Sequence, residues 1–122
     1  MTNDARTTDP STAYAEAPSI IAEIGWVADQ SVSRSFGSEM GREFWLRKAA
    51  LLDRIALRET ATYAPDLSAP AVQTAEQAAL RLIEYDETHS GLSRRALDLV
   101  TGSDYREYVR DQYREWSCIQ GA

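Results

Sequence analysis

Residues able to do chemistry are few in this chain and lie far apart. Asp86 and His89 stand three positions apart, which places a carboxylate and an imidazole on one helix face, as carboxylate-bridged metal sites require. His89 is the sole histidine, so a two-metal site of that kind lacks its second half, and no metal site is expected. At a helix end His89 is placed to meet the last free carbonyls. Cys118 is the sole cysteine, which excludes an intramolecular disulfide and leaves only His89 as a base for thiol chemistry. No Gly-rich phosphate loop, G-x-S-x-G elbow, H-E-x-x-H or C-x-x-C occurs. The sequence therefore implies neither a catalytic residue nor a cofactor.

Cations and aromatics say more. Arg47, Arg54 and Arg58 share one segment with Lys48 and Asp53. Pointing inward, these arginines would clamp an anion, as in a small-molecule-binding or isomerase-like helical bundle. The plainer reading of the same residues is a solvated polar edge. Aromatic side chains beside arginine are what protein interfaces favour. Phe44 and Trp45 on one segment, with Arg110, Tyr113, Arg114 and Trp116 on another, form the candidate interaction surface. Tyr105, Tyr108 and Trp116 share an apolar stripe and suit a core, whereas Tyr113 lies off that stripe. Arg94 and Arg95 follow Ser90-Gly91 in a pattern open to a helix-turn-helix reading. An ordinary helical hairpin fits it as well.

The charge balance weighs on these choices. Thirteen basic against nineteen acidic residues give a net charge of -6, with no dense block of one sign, so broad binding to a phosphate backbone is disfavoured. All the basic residues except Lys48 are arginine. The N-terminus has no apolar leader and no run approaches a membrane span, so a cytoplasmic protein without a membrane partner is the expectation.

The elements that must position these residues read as helices. With 122 residues, one domain is expected, and a chain of this mass can bury about two thirds of its surface. Residues 1–17, rich in Thr, Asp, Ala and Pro, read as a disordered tail, and 18–122 as one helical domain. From Pro18, the residues Ile20, Ile21, Ile24, Val27 and Ala28 fit a helical stripe, although Ile24, Trp26 and Ala28 also alternate as in a strand. A helix over 39–63, capped by Ser38, carries apolar residues round more than half its circumference and should be central. Glu43 and Arg47 are spaced to pair along it.

Residues 64–69 read as a loop and Pro70 as the start of a helix to about residue 88, with Val72, Ala75, Ala79, Leu82 and Ile83 inward. A short helix over 92–101 follows. Ser103 then caps a last helix in which Glu107, Asp111 and Glu115 neutralise Arg106, Arg110 and Arg114 locally, before a frayed end from Ser117. The sum is an all-α protein, a compact bundle of four to five helices. Its expected role is protein–protein interaction or self-association, possible as a homodimer, because the apolar width of the helix over 44–57 must be covered by something.

Overall fold

Proline placement sets the central hairpin. The chain leaves one helix at Thr62, where the Tyr63 amide closes on the Glu59 carbonyl at 2.8 Å, and enters the next at Pro65. At the first helical position proline forfeits no hydrogen bond. A computed structural model describes residues 9–33, 39–90 and 99–121. In it Arg42–Thr62 forms α3 and Pro65–Ser90 forms α4, preceded by α1 (Pro10–Ala13) and α2 (Ile20–Ser33) and followed by α5 (Gly102–Gly121). The architecture is all-α and compact, with no strand among the described residues.

The two-residue link between α3 and α4 folds them against each other, and this is the largest contact in the molecule. Ala75, Ala79, Leu82 and Ile83 make the buried stripe of α4, and the small residues in it let α3 approach closely. Leu46, Ala49 and Ala50 from α3 meet that stripe, and Tyr108, Val109 and Tyr113 from α5 close the core. Phe44 and Leu51 are buried on the opposite side of α3. The apolar width of α3 is thus covered by other parts of this same chain.

Several boundaries depart from the sequence reading. Residues 65–69, expected as a loop, are the first turns of α4. The Leu67 and Ser68 amides return to the Ala64 carbonyl at 2.9 and 3.0 Å, so the helix is nucleated before Pro70, which then sits inside it. One proline near an exposed helix start removes a single ladder bond, which is tolerable there. The cap of α3 is Gly41, without a side-chain bond, and the expected Ser38 cap lies outside the described residues. So do the Arg94–Arg95 pair and all of the helix expected over 92–101 except its last three residues, Leu99, Val100 and Thr101, which are not helical.

The last helix is capped by Thr101 rather than Ser103. The Asp104 amide donates to the Thr101 hydroxyl at 3.1 Å, while the Asp104 carboxylate accepts from the amides of Thr101 and Val100 at 3.0 Å. This is a capping box with aspartate in the glutamate position, and these amides hold the Asp104 carboxyl below its usual range. A Cβ at Gly102 would meet the carboxylate at the far end of the flexible Glu76 side chain, which would have to swing aside. The helix then continues through the expected frayed end to Gly121.

The segment after Pro18 is helical from Ile20, with Pro18 itself ahead of the helix. Ser19 caps α2 by accepting the Ala22 amide at 3.1 Å. Of the expected tail, residues 1–8 lie outside the described residues, while residues 9–17 lie on the bundle with Ala13 buried and Tyr14 and Ala17 packed against the core.

Candidate interaction surface

Three carboxylates lie inside this bundle, each on a helix that would be expected to bury only apolar groups. Asp53 of α3 is 1% exposed. Arg106 donates to it through Nε at 2.6 Å, Arg110 through Nε and Nη2 at 2.8 and 3.0 Å, and the Tyr14 hydroxyl at 2.6 Å. Asp86 of α4 accepts a two-pronged bond from Arg42 at 2.7 and 2.8 Å and another from the Tyr108 hydroxyl at 2.6 Å. Gln112 takes a further Arg42 proton at 2.9 Å. Glu23, the only buried residue of α2, holds Arg47 by a fork at 2.8 and 2.7 Å.

Removing such a charge from water costs several kcal/mol, and only a close, fully hydrogen-bonded partner repays it. All three meet that condition, and among the described residues no buried side-chain polar atom lacks a partner. Hydrogen bonds to Asp86 raise the pKa of Arg42, and those to Glu23 that of Arg47. Burial opposes the charge on Arg110, but Asp53 more than offsets it. Burial, then the neighbouring carboxylate, pushes Tyr14 and Tyr108 well above the ordinary phenol range.

These clusters reassign several residues. Arg47 cannot clamp a ligand as expected, because its guanidinium is filled by Glu23 and by Glu43 at 2.8 Å and lies 3.6 Å from the centre of the Trp26 ring. The spacing-based Glu43–Arg47 pair does form. Arg54 is half-buried, 5.8 Å from the Tyr14 ring, and Arg58 is exposed, so the three arginines do not converge. Arg106 and Arg110 reach across to Asp53, which sequence reasoning had left without a role.

Tyr113, expected at the surface, is 2% exposed. It lies under the Tyr14 ring, edge-on at 5.3 Å, and against Trp116 at the same distance. The covering group comes from the segment read as a tail, which is why helical phase alone misplaced it.

Tyr113, Arg114 and Trp116 do meet, together with Arg47, in one open hollow of about 720 Å³ beside α1. Phe44 is buried and Trp45 half-buried, the latter lining a separate groove against α4. Asp86 and His89 form no metal site. Both oxygens of Asp86 are taken, and the exposed His89 stacks on Tyr85 at 3.9 Å with Nδ1 3.0 Å from that residue's carbonyl. Among the described residues no three metal-ligating side chains gather, and no helix is long and apolar enough to cross a membrane.

The surface that sequence reasoning missed is the outer face of α2. Ile21 is 82% and Val32 80% exposed, and Ile24, Gly25 and Ala28 are exposed with them. Residues 21, 25, 28 and 32 recur at i, i+4, i+7 and i+11, one straight stripe, diametrically opposite Glu23 on the helix wheel. Large residues stand at its two ends and small ones at its middle. Among the described residues, nothing beyond its chain neighbours and the helix's own backbone comes within 4 Å of a Cβ built at Gly25. The expected stripe of Ile20, Ile21, Ile24, Val27 and Ala28 shares Ile21 and Ala28 with this face, but spacing alone does not say which side the bundle covers. No protein-family model matches the chain, and no curated protein and no solved structure matches it.

Proposed function

We propose that this protein works by protein–protein contact through the outer face of α2, and that its partner is a second copy of itself. The observation that carries this reading is the exposed Ile21–Gly25–Ala28–Val32 stripe on a helix anchored from behind by a salt bridge. A helix apolar on its outward face normally has that face covered.

The order of sizes along the stripe suits antiparallel self-pairing. About a two-fold axis between positions 26 and 27, Ile21 meets the Val32 of the second copy and Gly25 meets its Ala28, so the bulky ends flank a close central crossing. A two-fold interface must be self-complementary in this way. Asp29 is the one charge beside the stripe, which keeps repulsion across the pairing small.

Light scattering over a concentration series tests the proposal. The wild-type chain should show a mass rising toward twice 13.6 kDa, and the double variant Ile21→Asp, Val32→Asp should stay monomeric with an unchanged melting temperature. A wild-type chain that is monomeric at every soluble concentration overturns it, as does a double variant that dimerises equally well.

A further inference from the structure

We propose that the groove between α3 and α4 is a binding site for a small aromatic carboxylate. This rests on side chains separate from the α2 face and stands or falls independently of it.

On α3, Trp45, Lys48 and Leu52 recur at i, i+3 and i+7 and share one face, and Ala78 and Arg81 of α4 complete the groove opposite them. Its volume, about 540 Å³, is within the range of small-molecule sites. The half-buried indole of Trp45, with Leu52 and Ala78, supplies apolar wall. Two cations lie near that indole. The Lys48 ammonium is 5.9 Å from its ring centre and the Arg81 guanidinium carbon 5.5 Å.

These cations, like Arg54, Arg58 and Arg114, differ from the arginines of the buried clusters in holding no carboxylate among the described residues. Arg42, Arg47, Arg106 and Arg110 each hold a buried carboxylate. Lys48 and Arg81 make no ion pair among the described residues. Glu84, exposed, is the groove's one acidic residue, so its lining is positive in a chain whose net charge is -6.

A carboxylate seated between Lys48 and Arg81 would receive charged donors from both. Its aromatic body would lie against Trp45 and Leu52, where stacked or edge-on ring contact adds to apolar burial. The Gln77 amide lines the same groove and is placed to orient the ligand. The anion-binding side chains would then be Lys48 and Arg81, in place of the Arg47, Arg54 and Arg58 set that spacing alone suggested.

The test is a titration with 2-naphthoate, followed on the Trp45 indole N–H resonance. Parallel arms use 2-naphthamide, which keeps the ring and loses the charge, and acetate, which does the reverse. The expected result is a saturable shift at Trp45 with Kd near or below about 1 mM, the affinity usual for so few atoms. The amide and acetate should each bind about tenfold more weakly or worse, because each lacks one of the two contacts.

The Lys48→Gln, Arg81→Gln double variant should lose about tenfold in affinity, while Arg58→Gln, outside the groove, should lose none. Raising the salt on the wild-type protein should weaken naphthoate binding, a check that needs no variant to fold. No saturable shift at Trp45 to about 10 mM naphthoate, a range covering the weakest ligand of this size, overturns the proposal. So does equal binding of the amide, or affinity indifferent to both salt and the double variant.

Discussion

Helices α2 and α3 draw on the same residue types and bury different ones. Most of what α3 buries is apolar, yet Asp53 is deeper than Phe44 or Leu51; α2 buries a single residue, a glutamate, and turns isoleucine and valine outward. The difference teaches that depth follows the available partner rather than hydropathy. Asp53 goes inside because Arg106, Arg110 and Tyr14 converge on it, and Glu23 because Arg47 is presented by α3. The consequences differ in kind. The Asp53 cluster is built into the body of the bundle, whereas the Glu23 fork fastens a helix whose apolar side still faces out.

The strongest way to break the comparison is at its deeper end. Asp53→Asn leaves two guanidinium groups largely buried without a counter-charge, and urea unfolding should show a loss of about 3–5 kcal/mol. A loss as small as that of an ordinary surface change would mean that Asp53 is held by Tyr14 alone. Next comes Glu23→Gln, which removes half of the more exposed fork. A loss of about 2 kcal/mol is expected, accompanied by faster amide exchange confined to α2 and a change in Trp26 fluorescence as its stacked guanidinium departs. Exchange that speeds up uniformly would show that α2 is as integral as α3.

The tyrosines give a pH axis. Tyr14 and Tyr108 have folded pKa values above those of the unfolded chain. Their contribution is therefore complete below the unfolded phenol pKa of about 10 and declines as pH rises past it, by about 1.4 kcal/mol per pH unit for each ring kept protonated. Denaturant midpoints measured from neutral pH upward should fall beyond that point, and less steeply in Tyr14→Phe. A flat alkaline limb would contradict the buried phenol–carboxylate bonds. The smallest effect belongs to Gly25→Ala, which relieves a helix-interior glycine where the new methyl meets nothing. The monomer should gain up to about 1 kcal/mol, while self-association weakens because the central crossing is widened. Stabilisation with unchanged association would move the contact elsewhere on α2.

Much of this fold was legible from periodicity. The positions of α3 and α4 and most of the α4 stripe follow from where apolar residues recur, and Asp86 even shares the phase of Ala75, Ala79 and Leu82. Missing was any local sign of which charges would pair across the bundle. Arg110 has Glu107 at helical spacing beside it, yet both it and Arg106 choose Asp53, because a buried carboxylate offers two unsolvated oxygens where a surface glutamate competes with water. The burial of Tyr113 had the same cause, since it depends on Tyr14, a lone aromatic in a polar stretch. The exposed face of α2 was not legible, because isoleucines at helical spacing show that one side is apolar without showing which side the rest of the molecule takes.

The Asp53 cluster also bears on the order in which this chain folds. Its four hydrogen bonds draw on residue 14, residue 53 and residues 106 and 110, so ring closure spans most of the polypeptide. Contacts between residues so distant in sequence are the slow ones to form. On the ribosome, α3 emerges with Asp53 well before the arginines that neutralise it, and the α3–α4 hairpin must wait with that carboxylate in water. The Asp53 cluster can therefore be completed only once α5 has been synthesised, and it ties Tyr14, near the start of the described residues, to the last helix.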